Sequence, residues 1–76
     1  MKERIMKEIE AFVRKHLCHS NKFYETVSDV FSNKYYIKCY ECGDATYIHV
    51  EENEDEEYSD ALIEIENKYK IVFCDN

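Results

Sequence analysis

The chain has no proline, no tryptophan, one glycine and only two arginines in 76 residues. Without proline, and with Gly43 standing alone, turns must be made by Asn, Asp and Ser, and no glycine-rich phosphate-cradling loop can be written. The metalloprotease H-E-x-x-H, the hydrolase G-x-S-x-G and the calcium-loop spacing of alternating acids before a glycine are all missing. No apolar run approaches the ~20 residues of a membrane span. The opening MKERIMKEIEAF is too charged for an export signal. These absences favour a non-enzymatic, cytoplasmic chain with no membrane partner.

Positive charge is also scarce. Ten Lys and Arg face seventeen Asp and Glu, giving a net charge of −7. That argues against direct nucleic-acid binding by phosphate neutralisation and against adhesion to an anionic membrane surface. What is present is apolar and aromatic: 45% hydrophobic residues and 14% aromatics are too many for a disordered chain. Residues 1–76 are therefore expected to form one small domain with a modest core.

The periodicity predicts α+β. Ile5, Ile9, Phe12, Val13 and Leu17 lie on one helical face, predicting a helix over 2–19 that Ser20-Asn21 stops. Phe23, Val27, Val30 and Phe31 also fit a helical face, so a second short helix is expected over 22–32. As a strand, that segment would mix Glu25 and Asp29 with Phe23 and Val27 on one face. Residues 35–51 read as a hairpin turning at Gly43-Asp44. Pairing Cys42 with Ala45 sets Cys39 opposite Ile48 and Ile37 opposite Val50 on the apolar face, with Tyr40 opposite Tyr47 and Lys38 opposite His49 on the other. A second hairpin is expected over 61–73 around Asn67-Lys68-Tyr69, with Ile63 opposite Phe73 and Ile65 opposite Ile71. The rival there is a helix through Tyr58, Leu62, Ile65 and Tyr69. Ile63 and Ile65 argue against that helix, because residues two apart diverge on it. The expected whole is an N-terminal helix, with a second short one, packed on a small antiparallel sheet of two hairpins.

Four cysteines could carry chemistry. Cys39-Tyr-Glu-Cys42-Gly43 has the C-x-x-C-G form of a zinc knuckle. A second ligand pair could come from the helix end, where His16, Cys18 and His19 stand, or from Cys74; Cys39, Cys42, Cys18 and His19 make the candidate metal set. The rival reading has no cofactor, with Cys39 a small core hydrophobe. Redox chemistry would want this pair at a helix N-terminus. A Cys39–His49 nucleophile pair would point to opposite faces of the hairpin.

The most unusual stretch is 51–60, where Glu51, Glu52, Glu54, Asp55, Glu56, Glu57 and Asp60 put seven carboxylates in ten positions. One reading is a solvated loop that keeps the domain soluble. The sharper reading is a partner surface: a carboxylate row can imitate a phosphate backbone and occupy the basic channel of a nucleic-acid-binding protein. Tyr36, Tyr40, Tyr47 and Tyr58, expected on or near the exposed face, would serve as its anchors. Small phage-type inhibitors, anti-CRISPR proteins among them, use this logic; the analogy is one of charge and size, with no motif behind it. The alternatives are a zinc-knuckle adaptor and a small homodimer with a tyrosine-rich interface.

Overall fold

The computed structural model describes residues 2–29 and 31–75. Helix α1 (Lys2–His16) is followed by strands β1 (Lys22–Asp29), β2 (Lys34–Cys39) and β3 (Ala45–His49), helix α2 (Asp55–Tyr69) and strand β4 (Val72–Asp75). The class is α+β. Two helices cover one face of a four-stranded sheet of order β3-β2-β1-β4, in which β1 is antiparallel to β2 and parallel to β4.

Helix α1 forms for the reason the periodicity gave: Ile5, Ile9, Phe12 and Val13 are all buried. It stops at His16, earlier than expected, and residues 17–19 make a turn in which the His19 amide donates to the His16 carbonyl at 3.0 Å.

Residues 22–29 form a strand where a helix was expected, and Val30 lies outside the described residues. The charge on its inner face is tolerated because the strand overhangs the helices. Phe23 is fully buried beneath them, Glu25 is half-buried, and Val27 is 83% exposed. Past a bulge, the Asp29 side chain accepts from the Phe31 amide and Asn33 turns the chain at φ 51°.

The β2–β3 hairpin exists in a different register. Tyr36 lies opposite Tyr47, Lys34 opposite His49 and Lys38 opposite Ala45. The loop is longer than a two-residue turn, so the pairing slips by four residues. An even slip leaves every side chain on its expected face. Ile37, Cys39, Ile48 and Val50 are accordingly all buried, and His49 remains on the face opposite Cys39.

The second hairpin is replaced by α2 and β4. The decisive residue is Ile63, which is 55% exposed, while Tyr58, Ala61, Leu62 and Ile65 form a buried i, i+3, i+4, i+7 stripe. Three acids in the first turn suit the positive pole of the helix dipole. Lys70 ends the helix in the left-handed conformation, and the Ile71 amide donates to the Glu66 carbonyl. Strand β4 then runs beside β1, with Phe23 opposite Phe73.

The core lies between the helices and the sheet. Each fully buried Ile or Phe contributes roughly 1.5–3 kcal/mol, whereas a water-screened surface ion pair such as Lys68–Glu10 contributes far less. Apolar burial therefore dominates. One polar clasp spans the elements: Arg4 of α1 donates to the His49 carbonyl at 3.0 Å and to Glu54 at 2.6 Å, tying α1 to the exit of β3 and the entry of α2.

Candidate functional site

Two regions carry chemistry. The first is built where the end of α1 meets the β2–β3 loop. Cys39 closes β2, and its amide donates to the Asp44 carbonyl at 2.8 Å, while the Gly43 amide donates back to the Cys39 carbonyl at 3.1 Å. Gly43 sits at φ 77°, a conformation glycine adopts without steric cost. This fold of the loop brings the thiols of Cys39 and Cys42 towards the helix end. There His16, 3% exposed, packs on the Phe12 ring at 4.6 Å and holds its Nδ1 3.2 Å from Cys42 Sγ. Its Nε2 lies 3.7 Å from an Asp44 carboxylate oxygen. The donor atoms of His16, Cys39 and Cys42 all lie within 4.8 Å of one another, so the three form a group able to hold a metal ion. The Cys42 thiol is held above its ordinary pKa: a hydrogen bond with the Asp44 backbone lowers it, but desolvation and the neighbouring Cys39 raise it more.

The structure thus brings together Cys39 and Cys42 of the expected set, joins His16 to them, and leaves out the other two. Cys18 and His19 are exposed on the turn after α1, outside the group. The reason is where α1 ends. His16 sits in its last turn on the buried side, beside Phe12, while Cys18 and His19 have left the helical face. The signal in the sequence was position 16 itself, four residues after Phe12 and on the same helical stripe.

The second region is the acidic stretch. Only its first part is a loop: residues 51–54 form the turn after β3, and residues 55–60 are the opening turns of α2. Glu51, Glu52, Asp55, Glu56 and Asp60 are exposed, whereas Glu54 and Glu57 are partly buried. Glu54 belongs to the Arg4 clasp, and Asp55 accepts from the Tyr35 hydroxyl, which raises the Tyr35 pKa to about 12, chiefly through that hydrogen bond. Glu51 lies 3.4 Å from His49 Nε2.

The tyrosines divide. Tyr58 is 1% exposed, contrary to expectation, because it is the first residue of the buried stripe of α2 and stacks on Tyr35 with ring centres 4.1 Å apart. Tyr36, Tyr40 and Tyr47 lie on the sheet face that the helices leave uncovered, where Tyr36 meets Tyr47 and Tyr24 meets Tyr40, each pair at 5.2 Å. That face holds Lys34 and Lys38 beside the rings, not the acids. Sequence reasoning missed Ile63, which read as an inward strand residue. On α2 it follows Glu56 and Asp60 at i+7 and i+3, and all three are exposed.

A shallow depression of about 550 Å³ lies elsewhere, lined by Glu3, Arg4, Lys7, Glu8 and Glu54. Among the described residues, no helix is long and apolar enough to cross a membrane. No protein-family model, curated protein or solved structure matches this chain.

Proposed function

We propose that this is a small non-enzymatic binding protein that occludes a basic protein surface of the nucleic-acid-binding type, in the cytoplasm, through the start and outer stripe of α2. The observation that carries the reading is the stripe Glu56, Asp60 and Ile63, which places an exposed apolar side chain among exposed carboxylates on a helix whose other side is locked into the core. Such a helix is pre-organised, so little conformational entropy is lost when it docks. Glu51 and Glu52, ahead of the helix, and Asp55, its first residue, extend the charge. Carboxylates at the rim steer encounter, and a central apolar anchor slows dissociation. A direct role in binding nucleic acid is not part of this proposal; the net charge of −7 opposes it.

The metal-holding group serves the same reading as a staple. Its donors suit zinc, and an ion there would stiffen a domain whose core is small.

The test is a pull-down from the source cell with the tagged full chain, washed at rising salt. A basic partner released by moderate salt is expected. Neutralising Glu52, Glu56 and Asp60 to Gln, Gln and Asn should reduce capture without unfolding the chain, because all three are exposed. Reversal to Lys is the poorer design, since cations at a helix N-terminus oppose the dipole. Undiminished capture by the neutralised variant, folded by circular dichroism, would refute the proposal.

A further inference from the structure

We infer that His16 Nδ1, Cys39 Sγ and Cys42 Sγ are the protein ligands of one zinc ion, that Asp44 orients the histidine from its Nε2 side, and that the fourth position opens to solvent. This inference rests on the metal-holding reading of the group and goes beyond it in assigning the ligand atoms, the orienting carboxylate and the open position.

Zinc takes thiolate sulfur at about 2.3 Å and imidazole nitrogen at about 2.0–2.1 Å, so neighbouring donors on its tetrahedron stand roughly 3.5–3.8 Å apart. The 3.2 Å between Nδ1 and Cys42 Sγ, and the 4.8 Å bound on all three separations, bracket that spacing. An ion would enter with small adjustments of side chains alone. The donors come from three parts of the chain, the last turn of α1, the end of β2 and the β2–β3 loop, so their meeting is a product of the tertiary fold.

Chemistry favours an ion over a simple thiol–imidazole hydrogen bond. A thiol is a weak donor, so the contacts that Cys42 makes with the His16 ring and with Cys39 bind the three groups only weakly without an ion. Two sulfurs and one imidazole are the soft-to-borderline set that zinc takes. Asp44 then occupies the place usual for an outer carboxylate: with Nδ1 on the metal, Nε2 carries the proton, and the Asp44 oxygen 3.7 Å away faces it. Loop geometry supports this, because the Asp44 carbonyl is already pinned by the Cys39 amide.

Three protein ligands leave one position. Cys39 and His16 are buried but Cys42, Gly43 and Asp44 are exposed, so that position faces water. Closed structural zinc sites have four protein ligands, whereas sites with three keep a place for water or an incoming group. Here it would admit a water molecule or a small donor from solution.

The experiment uses the full chain with thiols kept reduced. Metal content is measured on protein purified without chelator or added metal, then affinity is measured by zinc titration against a competing chelator. One equivalent of zinc is expected. Cys42→Ser, at an exposed position that should not disturb folding, should abolish stoichiometric binding, while Cys18→Ser and His19→Ala should leave it unchanged. Asp44→Asn should weaken binding roughly ten- to hundred-fold. Cobalt in place of zinc should give a tetrahedral spectrum with thiolate charge-transfer bands, shifted by added imidazole as it takes the open position. Failure to bind zinc or cobalt at all would overturn the metal-holding reading itself. Binding that needs Cys18 or His19, ignores Asp44→Asn or shows no imidazole shift would leave that reading standing and overturn, respectively, the ligand assignment, the orienting role or the open position.

Discussion

The uncovered sheet face and the outer stripe of α2 are both exposed, yet they carry opposite charge. Outward positions on the strands are Lys22, Tyr24 and Thr26, then Lys34, Tyr36 and Lys38, then Ala45, Tyr47 and His49, then Val72 and Cys74; Asp29 enters only past the bulge, opposite Lys34. The α2 stripe offers Glu56, Asp60 and Ile63 instead. A surface that joined the tyrosines to the acids would present both to one partner; the fold separates them. On the proposed reading a basic partner would dock on the acidic stripe of α2, and the lysines of the tyrosine face would disfavour it there.

The largest effect that sharpens this comparison uses one residue type in two places. Tyr58→Ala should destabilise the protein by about 3–5 kcal/mol, since it opens a cavity under α2 and removes the stacking on Tyr35. Tyr47→Ala, at 62% exposure, should cost less than about 1 kcal/mol. Urea denaturation of the two variants measures the difference. Equal costs would show that the assignment of inner and outer faces is wrong.

The contrast between these tyrosines also shows how much was legible. The α+β class, the stripe of α1 and both faces of the β2–β3 hairpin could be read from spacing, because periodicity reports burial directly. The hairpin register could not, since an even slip preserves every face. Residues 22–29 misled because the charge rule assumes that a whole strand face is covered, and β1 overhangs its helices at Val27. Ile63 misled for the converse reason: an exposed apolar residue broke the helical pattern of α2. In the candidate metal centre, Cys39 and Cys42 stood out as a motif. His16 was one of several candidates at the helix end and could not be singled out, because nothing local pairs a helix residue with a loop 26 positions away.

An intermediate effect concerns Glu25, which lies on the inner sheet face opposite Asp75. Desolvation raises its pKa from 4.5 to about 7, against the lowering influence of Tyr58, whose hydroxyl approaches it without a fully formed hydrogen bond; Asp75 and Glu66 raise it further. The folded protein thus holds this proton more tightly than the unfolded chain does. Its stabilising effect is full below pH 4.5 and is lost as pH rises towards 7. Glu25→Gln should remove that decline, raising stability at about pH 8 by on the order of 1 kcal/mol, allowing for its partial exposure, and changing little at about pH 4. Thermal melts across this range check the sign; a wild-type stability that climbs from pH 4.5 to 7 would contradict it.

The smallest effect lies at the C-terminus of α2. Lys70 adopts φ 54°, where a side chain is strained. Lys70→Gly should stabilise the protein by roughly 0.5 kcal/mol, the relief of strain exceeding the entropy lost by glycine. A lower melting temperature would show that the Lys70 side chain makes a compensating contact.

Association kinetics with the partner recovered by pull-down distinguish engagement by the helix, as proposed, from engagement by the tyrosine face. Rates are measured across ionic strength for wild type, for the Glu52, Glu56 and Asp60 neutralised variant, and for Tyr36→Ala with Tyr47→Ala. Wild-type association should slow steeply with salt, the neutralised variant should be slow and nearly salt-independent, and the tyrosine variant should match wild type. A tyrosine variant that loses binding while the neutralised helix keeps its rate and salt dependence would contradict engagement by the helix.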